Sequence, residues 1–232
     1  MTQLAVRSEG NHFFAENATD LRKGFDLEFS IGMAVVAQEV TVQVKCGEGV
    51  RPVRILNADG NVKGNKVIVG MNQIYSGREA GLLVELNVPA TAAGKHMKIA
   101  DVEVTYANMQ TKTTDRLTSE LRARFVEDPE TVKRKRRKDV IVAVAEQEAM
   151  EKNMKAVELR DKGKVEEAQK ILRENAKQLD NKAEELDSKA LAKEAQQNRE
   201  DAEQIADDES YRRQRKDMRD RQSEKAAPAV AF

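Results

Sequence analysis

The sequence predicts an α+β fold in several parts: an antiparallel β-sandwich of about seven strands, preceded by a strand and helix of an α/β unit and followed by an α-helical hairpin and a long charged helical tail. Three observations carry this reading. Between Val35 and Asp128 apolar residues recur with a period of two, and turn residues break the pattern every eight to twelve positions or so. After Asp128-Pro129, Gly163 is the one glycine, no proline occurs before Pro228, and Ala, Glu, Lys, Gln and Arg dominate; these residues lose least on entering a helix. Before Val35 a short alternating stretch leads into a helical stripe.

That N-terminal stretch, residues 1–34, comes first. Asn11 to Glu16 alternate as a short buried strand, and Asn17 then opens a helix with Leu21, Phe25 and Phe29 on one stripe. A lone strand and helix cannot bury both their faces. The segment therefore reads as the closing part of a larger α/β domain, with its opening part missing. The triplet Asn17-Ala18-Thr19 serves as a helix start rather than a glycan acceptor.

Residues 35–128 hold the sandwich. Val40, Val42 and Val44 alternate with Thr41, Gln43 and Lys45, and the pattern returns at Val53 and Ile55, at Val67 and Val69, and from Leu82 to Val88. Further strands are expected over Ile99 to Tyr106 and Leu121 to Val126. The turns fall at Gly47-Glu48-Gly49, Ala58-Asp59-Gly60-Asn61, Ser76-Gly77, Pro89 to Gly94 and Asn108.

Residues 129–180 form the hairpin. One helix runs to Asp161 with Val140, Val144, Met150, Met154 and Val157 on an irregular stripe; Lys162-Gly163 ends it. A second starts near Val165 and aligns Ala168, Ile171, Leu172 and Leu179. Gly163-Lys164-Val165-Glu166-Glu167-Ala168 resembles the turn of a tetratricopeptide unit, but no second copy follows and one unit makes no solenoid. Residues 181–222 read as a charged helix or a disordered one, with Ile205, Tyr211 and Met218 standing apart among charges, and residues 223–232 as a disordered tail.

The order of these segments carries a resemblance. Leu4-Ala5, then Gly10-Asn11-His12-Phe13-Phe14, then Asp20-Leu21 and Phe25, then Val35 to Val40 leading into a sandwich, together resemble the C-terminal part of von Willebrand factor type A domain proteins. The resemblance spans residues 1 to about 175. It implies that residues 1–34 are the last strand and helix of an A domain, with a β-sandwich and a helical segment after it. The family's adhesion site holds a divalent cation through an Asp-x-Ser-x-Ser loop. No such sequence occurs among the 232 residues, so the resemblance assigns metal-dependent ligand binding to no position.

Composition narrows the function. Charged residues make up 34% and aromatics 4%, with no Trp, which allows a modest core under a broad solvated surface. The formal net charge is zero and divides only mildly along the chain, so it does not call for nucleic acid. Cys46 alone excludes an internal disulfide, and the absence of a leader or an apolar run of about 20 residues points to a cytoplasmic setting.

Asn57, Asp59 and Asn61 alternate like calcium ligands, but Gly60 comes too early and Ile68 stands where a bidentate Glu is required, so a turn is preferred. His12 and His96 lie far apart, and no nucleophile motif or phosphate loop is present. The expectation is a non-enzymatic protein-interaction module with no cofactor and no metal. The alternative rests on Lys133, Arg134, Lys135, Arg136, Arg137 and Lys138, six consecutive cations that could hold nucleic acid or a nuclear import factor. A solvated linker is preferred there, because no aromatic interrupts the run.

Overall fold

The computed structural model describes residues 17–22, 25, 35–207, 211, 214–219, 221 and 222. The strand expected at 11–16, His12, Phe13, Phe14, Phe29 and the tail at 223–232 lie outside the described residues. Residues 18–22 and Phe25 are helical. As the sequence predicts, Asn17 caps this helix: its Oδ1 accepts from the Thr19 and Asp20 amides at 2.9 and 3.0 Å.

From Val35 the chain divides into two compact units, one built on strands and one on helices. The first contains seven strands: β1 (Val35–Cys46), β2 (Arg51–Ile55), β3 (Gly60–Lys63), β4 (Lys66–Tyr75), β5 (Val84–Asn87), β6 (His96–Asn108) and β7 (Thr114–Arg124). They form a five-stranded antiparallel sheet in the order β3-β4-β1-β6-β7 and a two-stranded ribbon of β2 and β5.

The central strand shows why the alternation matters. Val42 stands opposite Val69 on one side and Val104 on the other, and Val44 opposite Val67 and Val102. Residues paired this way share a face. Val40, Val42, Val44, Val67, Val69 and Met71 are buried there, with Ile55 and Val84 of the ribbon packed against them. Full burial of each such side chain is worth about 1.5–3 kcal/mol. Ala37 is also buried, at an odd spacing from Val40. The β1–β6 register shifts between Gln38 and Thr41, and Glu39 takes a φ of 52°. This bulge absorbs the extra residue and keeps both side chains inward.

Two strands differ from the expectation. β3 begins at Gly60, inside the expected turn, because what the site demands of Gly60 is closeness. A Cβ there would lie 2.7 Å from Ile55 Cδ1 and Val69 Cγ2 and 2.9 Å from the Ile68 carbonyl oxygen. β7 starts at Thr114 rather than near Leu121. Residues 114–120 contain one large apolar side chain, Leu117, so they show no alternation; pairing with β6 from Ala107–Thr114 to His96–Arg124 makes them a strand.

After β7, Asp128 caps a short helix, α1 (Pro129–Lys135), accepting from the Glu130 and Thr131 amides at 3.1 Å, with Pro129 in the first turn. The helical unit follows: α2 (Lys138–Asp161), α3 (Val165–Leu186) and α4 (Lys189–Gln204), with further helical residues at 214–219. Gly163, at φ 79°, turns the chain between α2 and α3 in a conformation that side chains disfavour. On α3, Ala168, Leu172, Ala176, Leu179 and Ala183 are buried on one stripe; on α4, Leu191, Ala195 and Ala202 are.

This unit corrects the hairpin and its solvated tail. α3 runs past residue 180 to Leu186, and a further helix packs beside it. Ile205, Tyr211 and Met218 are 0, 7 and 2% exposed, clustered with Ala156, Val157, Ala168 and Leu172. Their burial was hidden because α4 ends at Gln204, so no single helical stripe joins them. The alanines facing them also carry little hydrophobic signal.

Asp161, at the end of α2, closes the unit. It accepts from both Arg215 Nε and Arg215 Nη2 at 2.7 Å, from Arg219 at 3.1 Å and from the Tyr211 hydroxyl at 2.8 Å. The Arg215 hydrogen bonds hold its carboxyl below the usual carboxylate range. The Arg160 guanidinium lies 4.7 Å over the Tyr211 ring. Burial, then the hydrogen bond to Asp161, pushes the Tyr211 hydroxyl up to about 12.

Two outcomes are expected. Ile205→Ala should cost about 2–5 kcal/mol in urea unfolding, where a solvated tail predicts a change below roughly 0.5 kcal/mol. The closing contact should also weaken at both pH extremes. Because the folded Asp161 pKa is depressed, its contribution is present above the unfolded value of about 4 and is lost as pH falls through the lower folded value. The raised Tyr211 pKa gives a contribution present below about 10 and lost as pH rises toward about 12. Asp161→Asn should flatten the acid limb in thermal unfolding across pH; an unchanged limb would remove Asp161 from this role.

Candidate functional site

The basic run lies on exposed backbone at a helix break. Lys133, Arg134 and Lys135 end α1, Arg136 and Arg137 are extended, and Lys138 starts α2. Three of the six already have partners. Arg134 donates to Thr131 Oγ1 at 3.2 Å, Arg137 donates through Nε to Asp139 at 3.0 Å, and Lys138 donates to the Asp187 carbonyl at 2.9 Å. Hydrogen bonding with Asp139 raises the Arg137 pKa further. Residues 133–137 are all exposed, which fits a solvated surface.

The calcium-like triplet is divided by the fold. Asn57 is 2% exposed and acts as a clamp: its Nδ2 donates to the Gly81 carbonyl at 2.7 Å and its Oδ1 accepts from the Leu83 amide at 2.8 Å. Both ends of its amide are therefore committed to a loop, while Asn61 lies in β3. Among the described residues no group of three His, Cys, Asp or Glu side chains converges. His96 opens β6 in an exposed position. No helix among them is long and apolar enough to cross a membrane.

In the helical unit, a cleft of about 420 Å³ is lined by Met150, Asn153, Glu194, Asn198, Asp201 and Arg221, among others. Its polar groups face one another. Asp201, buried, accepts from both contacts of Arg221 Nη2 at 3.0 Å and from Gln214 Nε2 at 3.0 Å. Asn175 Nδ2 donates to the Ala149 carbonyl at 3.0 Å and to Asn153 Oδ1 at 2.9 Å. The Asn175 and Asp201 networks fix helix register, while Gln222 Nε2, in the same lining, is buried with no hydrogen-bond partner among the described residues.

The sheet leaves a different kind of surface. β7 is an edge of the five-stranded sheet, eleven residues long, whereas the opposite edge, β3, has four. Leu117 and Leu121 stand opposite Val104 and Ala100 and so lie on the core face, yet they are 57 and 53% exposed. The ribbon packs Ile55 and Val84 against the buried β1 and β4 side chains and does not bury these two leucines. On the outer face Arg116 pairs with Glu103, and Lys98 pairs with Asp101 at 2.6 Å and Glu120 at 3.0 Å. The Arg122 and Lys98 hydrogen bonds hold the Glu120 carboxyl below the usual range. Sequence reasoning missed this surface because it began the last strand at Leu121. The Leu117-x-x-x-Leu121 spacing was the available signal once residues 114–120 are read as extended.

Comparison with known proteins places the fold. No protein-family model and no curated protein matches the chain. Among solved structures, a von Willebrand factor type A protein from Catenulispora acidiphila superposes with a TM-score of 0.57 at 10% identity, covering 76% of this chain and 43% of that one. The ArnB paralog VWA2 from Sulfolobus acidocaldarius superposes with a TM-score of 0.47 at 14% identity, covering 99% of this chain and 51% of that one. The chain thus spans under half the length of the first structure and about half of the second. An antiparallel sheet followed by packed helices, superposable on the Catenulispora acidiphila structure at low identity, makes this chain von Willebrand factor type A-like in its fold.

Proposed function

We propose that the chain is a non-enzymatic protein-interaction module, and that its working surface is the β7 edge with the apolar side chains beside it. The observation that carries this reading is the exposure of Leu117 and Leu121 on the face that is core elsewhere in the sheet. A long edge strand also presents backbone donors and acceptors that no neighbouring strand among the described residues takes up. A partner strand adding to β7 supplies both missing components, ladder hydrogen bonds and an apolar cover. The von Willebrand factor type A-like fold fits recognition by surface contact.

Contact at this edge rests on backbone and leucine side chains, which require no metal. Arg137 and Lys138 of the basic run are engaged by Asp139 and the Asp187 carbonyl, which does not favour polyanion binding.

A photo-crosslinking residue at position 117, introduced in the source cells, should give covalent adducts that persist in EDTA. A second Leu121→Glu change should reduce them roughly tenfold, because a charge on an edge strand opposes pairing. Adducts indifferent to Leu121→Glu, or lost with EDTA, would overturn the reading.

A further inference from the structure

Resting on that reading, we infer that the occupant of the β7 edge is β7 of a second copy of this chain, paired antiparallel across a two-fold axis with Thr118 opposite Thr118. A two-fold interface requires a surface that complements itself. The sequence of β7, Thr-Asp-Arg-Leu-Thr-Ser-Glu-Leu-Arg-Ala-Arg, does so in this register. Arg116 of each copy stands opposite Glu120 of the other, so two opposite-charge pairs flank the axis, and Thr114 stands opposite Arg122.

The other face is mixed, because Asp115 stands opposite Leu121 of the other copy and the leucines meet only along diagonals. Leu117 stands opposite Ser119 and diagonal to Leu117 and Leu121 of the other copy, within reach of long side chains. The leucines left half-exposed by the ribbon then meet over the axis. Shifting the centre to Ser119 would pair Leu117 with Leu121 directly but set Arg116 against Arg122 on both sides. Centring on Glu120 would oppose two glutamates. Like charges directly opposite destabilise a strand pair, which disfavours both; centring on Leu117 forms no opposite-charge pair and centring on Leu121 pairs only residues 118–124, so the Thr118 register joins opposite-charge pairs to the longest overlap free of opposed like charges. Residues 114–122 then pair along nearly the whole strand, and the two sheets become one.

Charge reversal tests both the partner and the register, using the full chain. Sedimentation equilibrium should show a dimer for the wild type. Arg116→Glu and Glu120→Arg should each weaken it roughly tenfold or more, with the circular dichroism of both unchanged. Mixing the two variants should restore a heterodimer in native mass spectrometry. In the mixed pair the two reversed positions face each other with opposite charge on one side of the axis, and the native Glu120 of one copy faces the native Arg116 of the other. Any loss of intramolecular pairing is the same before and after mixing, so restoration reads the interface alone.

A monomeric wild type at all concentrations overturns the inference. So does a dimer that either reversal leaves intact or tightens, or a mixture that fails to restore it. A monomeric wild type whose position-117 adducts contain a different protein sinks the second copy and leaves the interaction module standing; a monomer with no adducts sinks both.

Discussion

An apolar sheet face must be covered by a comparable area of apolar surface, and the strand unit is shaped by a cover smaller than the sheet. Five strands present valines, leucines and alanines on one face, and a ribbon of two short strands covers them. Coverage is complete over β1 and β4 and thins across β6, where Val102, Val104 and Tyr106 are only partly buried. At β7 it has ended. The gradient follows from strand count and needs no special residue at the edge, which is why Leu117 lies in the cross-strand row of Val104 and Val42 and Leu121 in that of Ala100 and Cys46. The opposite face avoids the problem by being polar, laced by Lys98, Asp101, Glu103, Arg116 and Glu120. Those pairs are exposed and contribute little stability each.

The helical unit solves burial differently. Its contacts are built on alanine, with Ala145, Ala149, Ala183 and Ala195 around Leu179 and Leu191, and Ala156, Ala168 and Ala202 around Leu172 and Ile205. Small side chains let helices approach, but each contributes little buried area. Buried amides and the Asp201–Arg221 pair add direction to these contacts. Removing one member of such a network leaves its partners unsatisfied, a cost larger than the net gain from forming the contact.

These two strategies explain what could be read in the sequence. Strands with alternating valines, such as β1 and β4, were legible because valine is both β-branched and strongly apolar. The cap at Asn17, the break at Asp128-Pro129 and the turn at Gly163 were legible because each has a local chemical cause. β3 and most of β7 were not, since they are strands by pairing with a neighbour rather than by pattern. The same holds for Ile205, Tyr211 and Met218, whose burial depends on where the chain turns after Gln204. The interaction surface shares this fate: exposure of Leu117 depends on how far the ribbon extends, which no window of sequence around Leu117 contains. The basic run was conspicuous in sequence, and the fold leaves it on exposed backbone at a helix break.

The Asp161 closure bears on how each unit assembles. In the helical unit α2 meets α3 across a turn at Gly163, and α3 meets α4 across residues 187–188, so most packing joins neighbours in the chain. The bonds of Asp161 to Tyr211 and Arg215 instead close loops of 50 and 54 residues. β1 is likewise paired with β6 across a long span of chain. Closing long loops is slow relative to forming local helical contacts. The helices α2 to α4 can therefore gather early, the residues around Tyr211 and Arg215 join last, and the strand unit waits on its own distant pairing. Tyr211 and Arg215 are thus tied to α2 by contacts that no neighbour in the chain supplies, where the other helix pairs of the unit are joined through short turns.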